Sequence, residues 1–266
     1  MLVIGEKINS TRKPIKQALA AKDKAFLQKL AVDQASAGAH YLDVNTGAFP
    51  GEEVELMQWL VGVVQEVVDI PLAIDSANPA ALEAGLRVHV NGTPIINSIT
   101  LEQARFKDVL PLVLEHHADV LALSIGDGGI TSTAEERFEV AKRLVDALRT
   151  EGVEQSHIYL DPLIQPISVQ NDFGLVALSV IRRVKQEFPE INTTCGLSNI
   201  SFGLPQRGKL NRAFLIMAMA AGLDSAILDP LDDELMDVIK TSEALLGKDR
   251  FCKNYIRAFR ARIGDR

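Results

Sequence analysis

The sequence has only two cysteines in 266 residues, Cys195 and Cys252. They form no CxxC pair and no Cys/His metal spacing, which excludes a disulfide framework and a zinc-type centre. So little cysteine fits a reducing compartment, and a cytoplasmic protein is the expectation. Cys195 falls in an apolar run, where a buried, inert thiol is expected. No run reaches the roughly 18 apolar residues that a membrane span needs. The opening MLVIGEKINS lacks a basic n-region and a long apolar h-region, and reads as a strand rather than a signal peptide. There is no basic excess either: 28 Lys and Arg face 35 Asp and Glu, a net charge of -7. That balance argues against a dedicated nucleic-acid binder. No low-complexity tract or Pro/Gly/Ser-rich linker divides the chain, and 47% hydrophobic residues are too many for disorder.

What is present is alternation. Short apolar runs recur at 2–4, 41–44, 72–74, 94–96, 120–123, 158–160, 193–197 and 225–228. Segments of helical periodicity lie between and after them, at 23–37, 52–68, 79–88, 101–116, 134–148, 175–188, 211–221 and 232–246. Helix starts carry their usual chemistry. Asn78 precedes Pro79, while Thr100 with Gln103 and Thr133 with Glu136 spell capping boxes. The strands are apolar on both faces, as in a parallel sheet covered by helices. Eight strand–helix units of about 33 residues favour a closed barrel over an open sheet. The expected architecture is a single α/β domain over 1–266, a TIM (β/α)8 barrel.

In such a barrel the chemistry sits where the strands end. Here those ends are unusually polar: Glu6 and Asn9, then Asp43 and Asn45, Asp75-Ser76, Asn97-Ser98, Ser124, Asp161, Ser198-Asn199 and Asp229. Carboxylates and carboxamides converge on one rim with few cations. That suits a neutral, nitrogen-rich heterocycle. A carboxylate accepts two N–H bonds from an amino-amidine edge, and a carboxamide both donates and accepts. The rim shows no His/Asp/Glu metal set and no phosphate cradle. Gly203 to Lys209 spell GxxxxGK, but Leu210 stands where magnesium needs a hydroxyl and Pro205 interrupts the loop. His116-His117 come late on a helix with no third ligand. Met57 and Trp59 share helical spacing with Leu60 and Val64 and read as a packing face.

Six segments stand in order at the strand ends: VIGEKIN (3–9), YLDVN (41–45), IDS (74–76), INS (96–98), DPL (161–163) and GLSNIS (196–201). Together they resemble the pterin-binding family, which includes dihydropteroate synthase and the folate domain of cobalamin-dependent methionine synthase. Within it, the chain is similar to the stand-alone methyltetrahydrofolate:corrinoid protein methyltransferases. The resemblance runs over nearly the whole chain, including MAMAAGLDSAI (217–227). It implies a barrel that binds 5-methyltetrahydrofolate or tetrahydrofolate in its mouth. By motif, Asp75, Asn97 and Asp161 would hydrogen-bond the pterin. Gly196 and Ser198 would shape the floor and its edge, and Asn199 would reach N5, which carries the methyl group. Arg207 and Phe202 would lie near the ligand, although a polar residue is expected at 202. Asp161 or Asp75 would complete the proton network around N5.

No DxHxxG signature for a cobalt-ligating histidine occurs, so the corrinoid is expected on a separate protein docking transiently over the rim. The resemblance also implies a homodimer and no directly bound metal. Neither nucleic acid nor membrane is expected as a partner. Methyl transfer could serve acetyl-CoA synthesis or an O-demethylase system. The competing readings are a dihydropteroate synthase-like pterin enzyme and a non-catalytic module binding pterin or a corrinoid protein. The first would call for a late strand-end Lys or Arg, where this chain has Ser198-Asn199 and Asp229-Pro230.

Overall fold

The computed structural model describes residues 1–264. The eight apolar runs become β1 (Leu2–Asn9), β2 (Tyr41–Asn45), β3 (Leu72–Asp75), β4 (Ile95–Ile99), β5 (Asp119–Leu123), β6 (Ile158–Asp161), β7 (Asn192–Thr193) and β8 (Ser225–Leu228). The helices are α1 (Lys13–Ala20), α2 (Lys24–Ser36), α3 (Glu53–Gln65), α4 (Pro79–Val88), α5 (Gln103–Glu115), α6 (Ala134–Thr150), α7 (Phe173–Glu187), α8 (Arg207–Ala221), α9 (Asp233–Leu245) and α10 (Lys253–Gly264). Every strand pair is parallel, in the order β7-β6-β5-β4-β3-β2-β1-β8. The ring closes where Gly196 bridges Ile227 and the Ile227 N–H donates to the Cys195 carbonyl at 2.8 Å. This is the α/β TIM barrel that the alternation predicts.

Local chemistry explains where the elements begin. Asn78 caps α4 by accepting from the Ala80 N–H, and Pro79 opens the helix. Thr133 accepts from the Glu136 N–H and donates to its carboxylate, the capping box read from sequence. The box read at Thr100 and Gln103 is displaced. Glu102 is the N-cap, Thr100 Oγ1 bonds the Glu102 side chain, and the Gln103 N–H is taken by Asp127 of the next loop. The seventh strand is shorter than its apolar run. The Asp224 carboxylate accepts from the Thr193 N–H and hydroxyl, and Leu197–Ser201 coil into a 3-10 turn over the mouth. Helices α1 and α10 lie outside the sequence reading. Met57, Leu60 and Val64 are fully buried, as the packing-face reading expects.

The strand period of two divides the barrel into two residue sets. Val3, Leu42, Val44, Leu72, Ile74, Ile96, Val120, Ala122, Ile158, Leu160, Ala226 and Leu228 pack with the helices in one large core. The intervening residues form a separate cluster inside the ring. Ile4, Ala73, Ile95 and Leu121 are its buried members, with Leu2, Tyr41, Leu123 and Ile227 around them. One step further along the same inward column stand Glu6, Asp43, Asp75, Asn97, Asp161 and Asp229. The polar site therefore sits directly on a small apolar plug.

Candidate functional site

The parallel register sets Asn45 beside Asp75 and Asp75 beside Asn97, so β2, β3 and β4 present their last polar side chains at one level. Asn45 Nδ2 donates to Asp75 Oδ2 at 2.9 Å. Asn45 is itself held, because its Oδ1 accepts from the Ser10 hydroxyl at 2.7 Å and the Gly47 N–H at 3.1 Å. Asn97 Nδ2 donates to Asp43 Oδ1 at 2.9 Å. That bond fixes the carboxamide while leaving its oxygen for a ligand. Asp43 is buried, and burial together with the nearby Asp75 pushes its carboxyl well above the usual range. Burial also raises Asp75, to about 6, against the pull of Asn45 and the Arg105 charge.

Arg105 on α5 serves the loops behind this row. Its guanidinium donates to the carbonyls of Ser76 (2.8 Å), Ala77 (2.7 Å) and Ser98 (2.6 Å). One side chain thus ties the chain after β3 to the chain after β4, beside a cis peptide at Asn97–Ser98.

Asp161 faces the row from β6. It is 6% exposed, and its Oδ1 accepts from the Leu163 N–H at 2.7 Å. Burial raises its carboxyl to about 7, opposed by the N–H groups of Leu163 and Gly196 and by the charge of Arg137. Cys195 is buried beside it with its thiol pushed up, as the inert reading expects.

The chain after β7 forms the remaining wall. Gly196 stands against the Asn199 side chain, where a Cβ would sit 3.0 Å from Asn199 Nδ2 and make it shift. The glycine leaves room for the exposed Asn199 carboxamide beside it, and among the described residues no side-chain hydrogen bond ties Asn199 elsewhere. Ser198 Oγ donates to Glu6 Oε2 at 3.1 Å, and Arg12 pairs with Glu6 Oε1 at 2.6 Å. Arg207 bends back onto the Ser198 carbonyl and the Ser201 hydroxyl. Its guanidinium lies 5.9 Å from the exposed Phe202 ring. Lys7 pairs with Asp229 at 2.7 Å.

The structure therefore gathers Asp75, Asn97, Asp161, Gly196, Ser198 and Asn199 around one mouth, with Phe202 and Arg207 at its edge. Arg105, Arg137 and Glu53, which pairs with Ser76, escaped the sequence reading. Arg105 and Arg137 stand in the first turns of their helices rather than on the strand ends. Arg137 stands in the first turns of α6 among Glu135, Glu136 and Glu139, which reads as a solvated helix start, yet it is fully buried. The residues on the rim could hold a planar, N–H-rich ring. Among the described residues no His, Cys, Asp and Glu group fits a metal ion, and no helix is long and apolar enough to cross a membrane.

Comparison with known proteins identifies relatives of the chain and of its fold. The methylcorrinoid:tetrahydrofolate methyltransferase of Eubacterium limosum is 36% identical over 262 residues, covering 98% of this chain and 96% of that protein. Methionine synthase of Mycobacterium tuberculosis is 37% identical over 241 residues, 86% of this chain, which spans 20% of that longer protein. Dihydropteroate synthase of Xanthomonas albilineans, solved with 7,8-dihydropteroate, shares the fold with a TM-score of 0.70 at 17% identity, covering 92% of this chain and 93% of that one. The Yersinia pestis enzyme does so at 0.67 and 17%, again covering 92% and 93%. A family model described as pterin binding enzyme matches residues 5–229. With that span matched and a near-full-length relative at this identity, the chain belongs to the pterin-binding enzyme family.

Proposed function

We propose that the chain is a methyltransferase that moves a methyl group between N5 of tetrahydrofolate and the cobalt of a corrinoid carried by a separate protein. The observation that carries this reading is the polar rim of Asp75 and Asn97, with Asp161 facing them from β6 and the untied side chain of Asn199 on the loop after β7. The carboxylates accept N–H bonds from the amino-amidine edge of the pterin. Asn97 and Ser198 complete the polar contacts, Gly196 supplies the floor, and Arg207 and Phe202 border the outer part of the ligand.

Physical chemistry then assigns Asn199 its task. A tertiary amine leaves poorly until N5 takes a proton or a strong hydrogen bond. When methylfolate is the donor, the N5–methyl bond breaks, the methyl–cobalt bond forms, and N5 gains a proton. In reverse, N5 attacks the methyl group and loses that proton. Asn199 is no acid near neutral pH, but its amide can hold N5 more strongly as charge changes there, which lowers the barrier. Asp161 or Asp75, both raised toward neutrality, buffers the proton through water. Positioning the methyl carbon for in-line attack supplies the remainder.

The near-full-length relative is named for methylcorrinoid and tetrahydrofolate, and the reading adopts that pair of substrates. The carrier docks transiently over the mouth of a cytoplasmic homodimer, in acetyl-CoA synthesis or O-demethylation. The test is methyl transfer between 5-methyltetrahydrofolate and cob(I)alamin, followed by the cobalamin spectrum, in wild type and Asn199→Ala. Asn199-dependent transfer supports the reading. If the variant transfers as fast as wild type at equal folate occupancy, the N5 role is wrong.

A further inference from the structure

Among the described residues Arg137 is the largest fully buried side chain, and every oxygen it binds is neutral. Its guanidinium donates to the carbonyl of Leu163 at 2.9 Å, more weakly to that of Pro162 at 3.4 Å, and also to the Thr131 carbonyl and Gln165 Oε1. Its Nε has no partner, and the Phe173 ring lies 5.9 Å from its centre. A cation so far from water is normally paired with an anion. None of its hydrogen-bond partners is one.

The missing counter-charge is close by. Leu163 is held from both sides: its carbonyl accepts from Arg137, and its N–H donates to Asp161. Its φ is +60°, a left-handed conformation that leucine adopts only when its surroundings hold it there. The Leu163 backbone therefore couples the buried cation mechanically to the buried carboxylate, and their charges attract each other.

We propose that Arg137 is a positioning residue for the pterin site, orienting Asp161 through the Leu163 backbone and favouring the anionic carboxylate that accepts N–H bonds against the burial that opposes it. The inference rests on the reading of Asp161 as a pterin contact. The other groups against Asp161 do not duplicate this role. Cys195 is buried with a raised thiol and is neutral, Gly196 offers only its N–H, and the Ser124 hydroxyl donates to the Asp161 backbone carbonyl.

The test uses Arg137→Gln, which removes the cation, and Gln165→Glu, which neutralises it without touching the buried residue. Gln165→Glu keeps the test decisive if Arg137→Gln does not fold. Asp161 is titrated by difference infrared spectroscopy of its protonated carboxyl, with the Asp161→Asn form of each protein as blank. Tetrahydrofolate affinity is measured by calorimetry across the same pH range. The expected result is a midpoint at least about one pH unit higher in both variants. Folate binding should then be about fivefold weaker at pH 7 and recover toward pH 9. Unmoved midpoints, or a binding loss of equal size at every pH, would overturn the proposal. Moved midpoints with folate affinity that ignores them would overturn the pterin role of Asp161 instead, while the charge coupling stood.

Discussion

Asp161→Asn should make the ligand-free protein more stable, and increasingly so as pH rises. The carboxyl is 6% exposed and raised from its ordinary 3.8 to about 7. The folded state therefore keeps a proton that the unfolded chain releases above about pH 4. Stability contributed by that group is present below pH 4, falls as pH climbs to about 7, and is constant beyond. At about 1.36 kcal/mol per pH unit, the cost is about 1 kcal/mol at pH 4.5 and about 4 kcal/mol at pH 8. Asparagine has the same shape, keeps an oxygen for the Leu163 N–H and carries no charge to desolvate. The gap between variant and wild type should thus widen by roughly 3 kcal/mol from pH 4.5 to pH 8. For a chain of this size that is on the order of 6 °C in melting temperature. Urea denaturation and differential scanning calorimetry at the two pH values read it directly. The variants share Asp43 and Asp75, so those groups cancel in the difference. A gap that is the same at both pH values would refute the reasoning, because it would mean that burial does not raise the Asp161 carboxyl.

Asn199→Ala should slow methyl transfer to cob(I)alamin by about a hundredfold while folate affinity, measured by calorimetry, changes little. Gly196→Ala should act in the same direction, since the new methyl would meet Asn199 Nδ2 at 3.0 Å and displace it; transfer that survives unchanged would show that the Asn199 pose is unimportant. Arg105→Leu strands the carbonyls of Ser76, Ala77 and Ser98 and should cost about 2 kcal/mol in urea denaturation, with weaker folate binding. Thr133→Ala removes the cap of α6 and should cost about 1 kcal/mol without affecting transfer.

The sequence is most informative where geometry follows from period. Eight apolar runs at a regular spacing, each ending in polar residues, mark Asp43, Asp75, Asn97 and Asp161 as one rim before any coordinates exist. What it hides depends on distant pairing. The seventh strand is truncated because Asp224 takes hydrogen bonds from Thr193, and nothing in the run at 193–197 announces that. The Thr100 box fails because Asp127, a loop away, claims the Gln103 N–H. Arg105 and Arg137 read as ordinary helix-surface cations. Only the packed helices show that each guanidinium turns toward loop carbonyls behind the mouth.

The alternation of inward and outward side chains also bears on how such a protein can change. Residues that hold the helices to the sheet and residues that meet the ligand occupy alternate positions of the same strands. A substitution at Asn97 or Asp161 leaves Ile96 and Leu160 seated among the helices. Selection, or a designer, can thus rewrite the mouth one residue at a time while the scaffold stays assembled. Dihydropteroate synthases that keep the same barrel at 17% identity are what such separability permits.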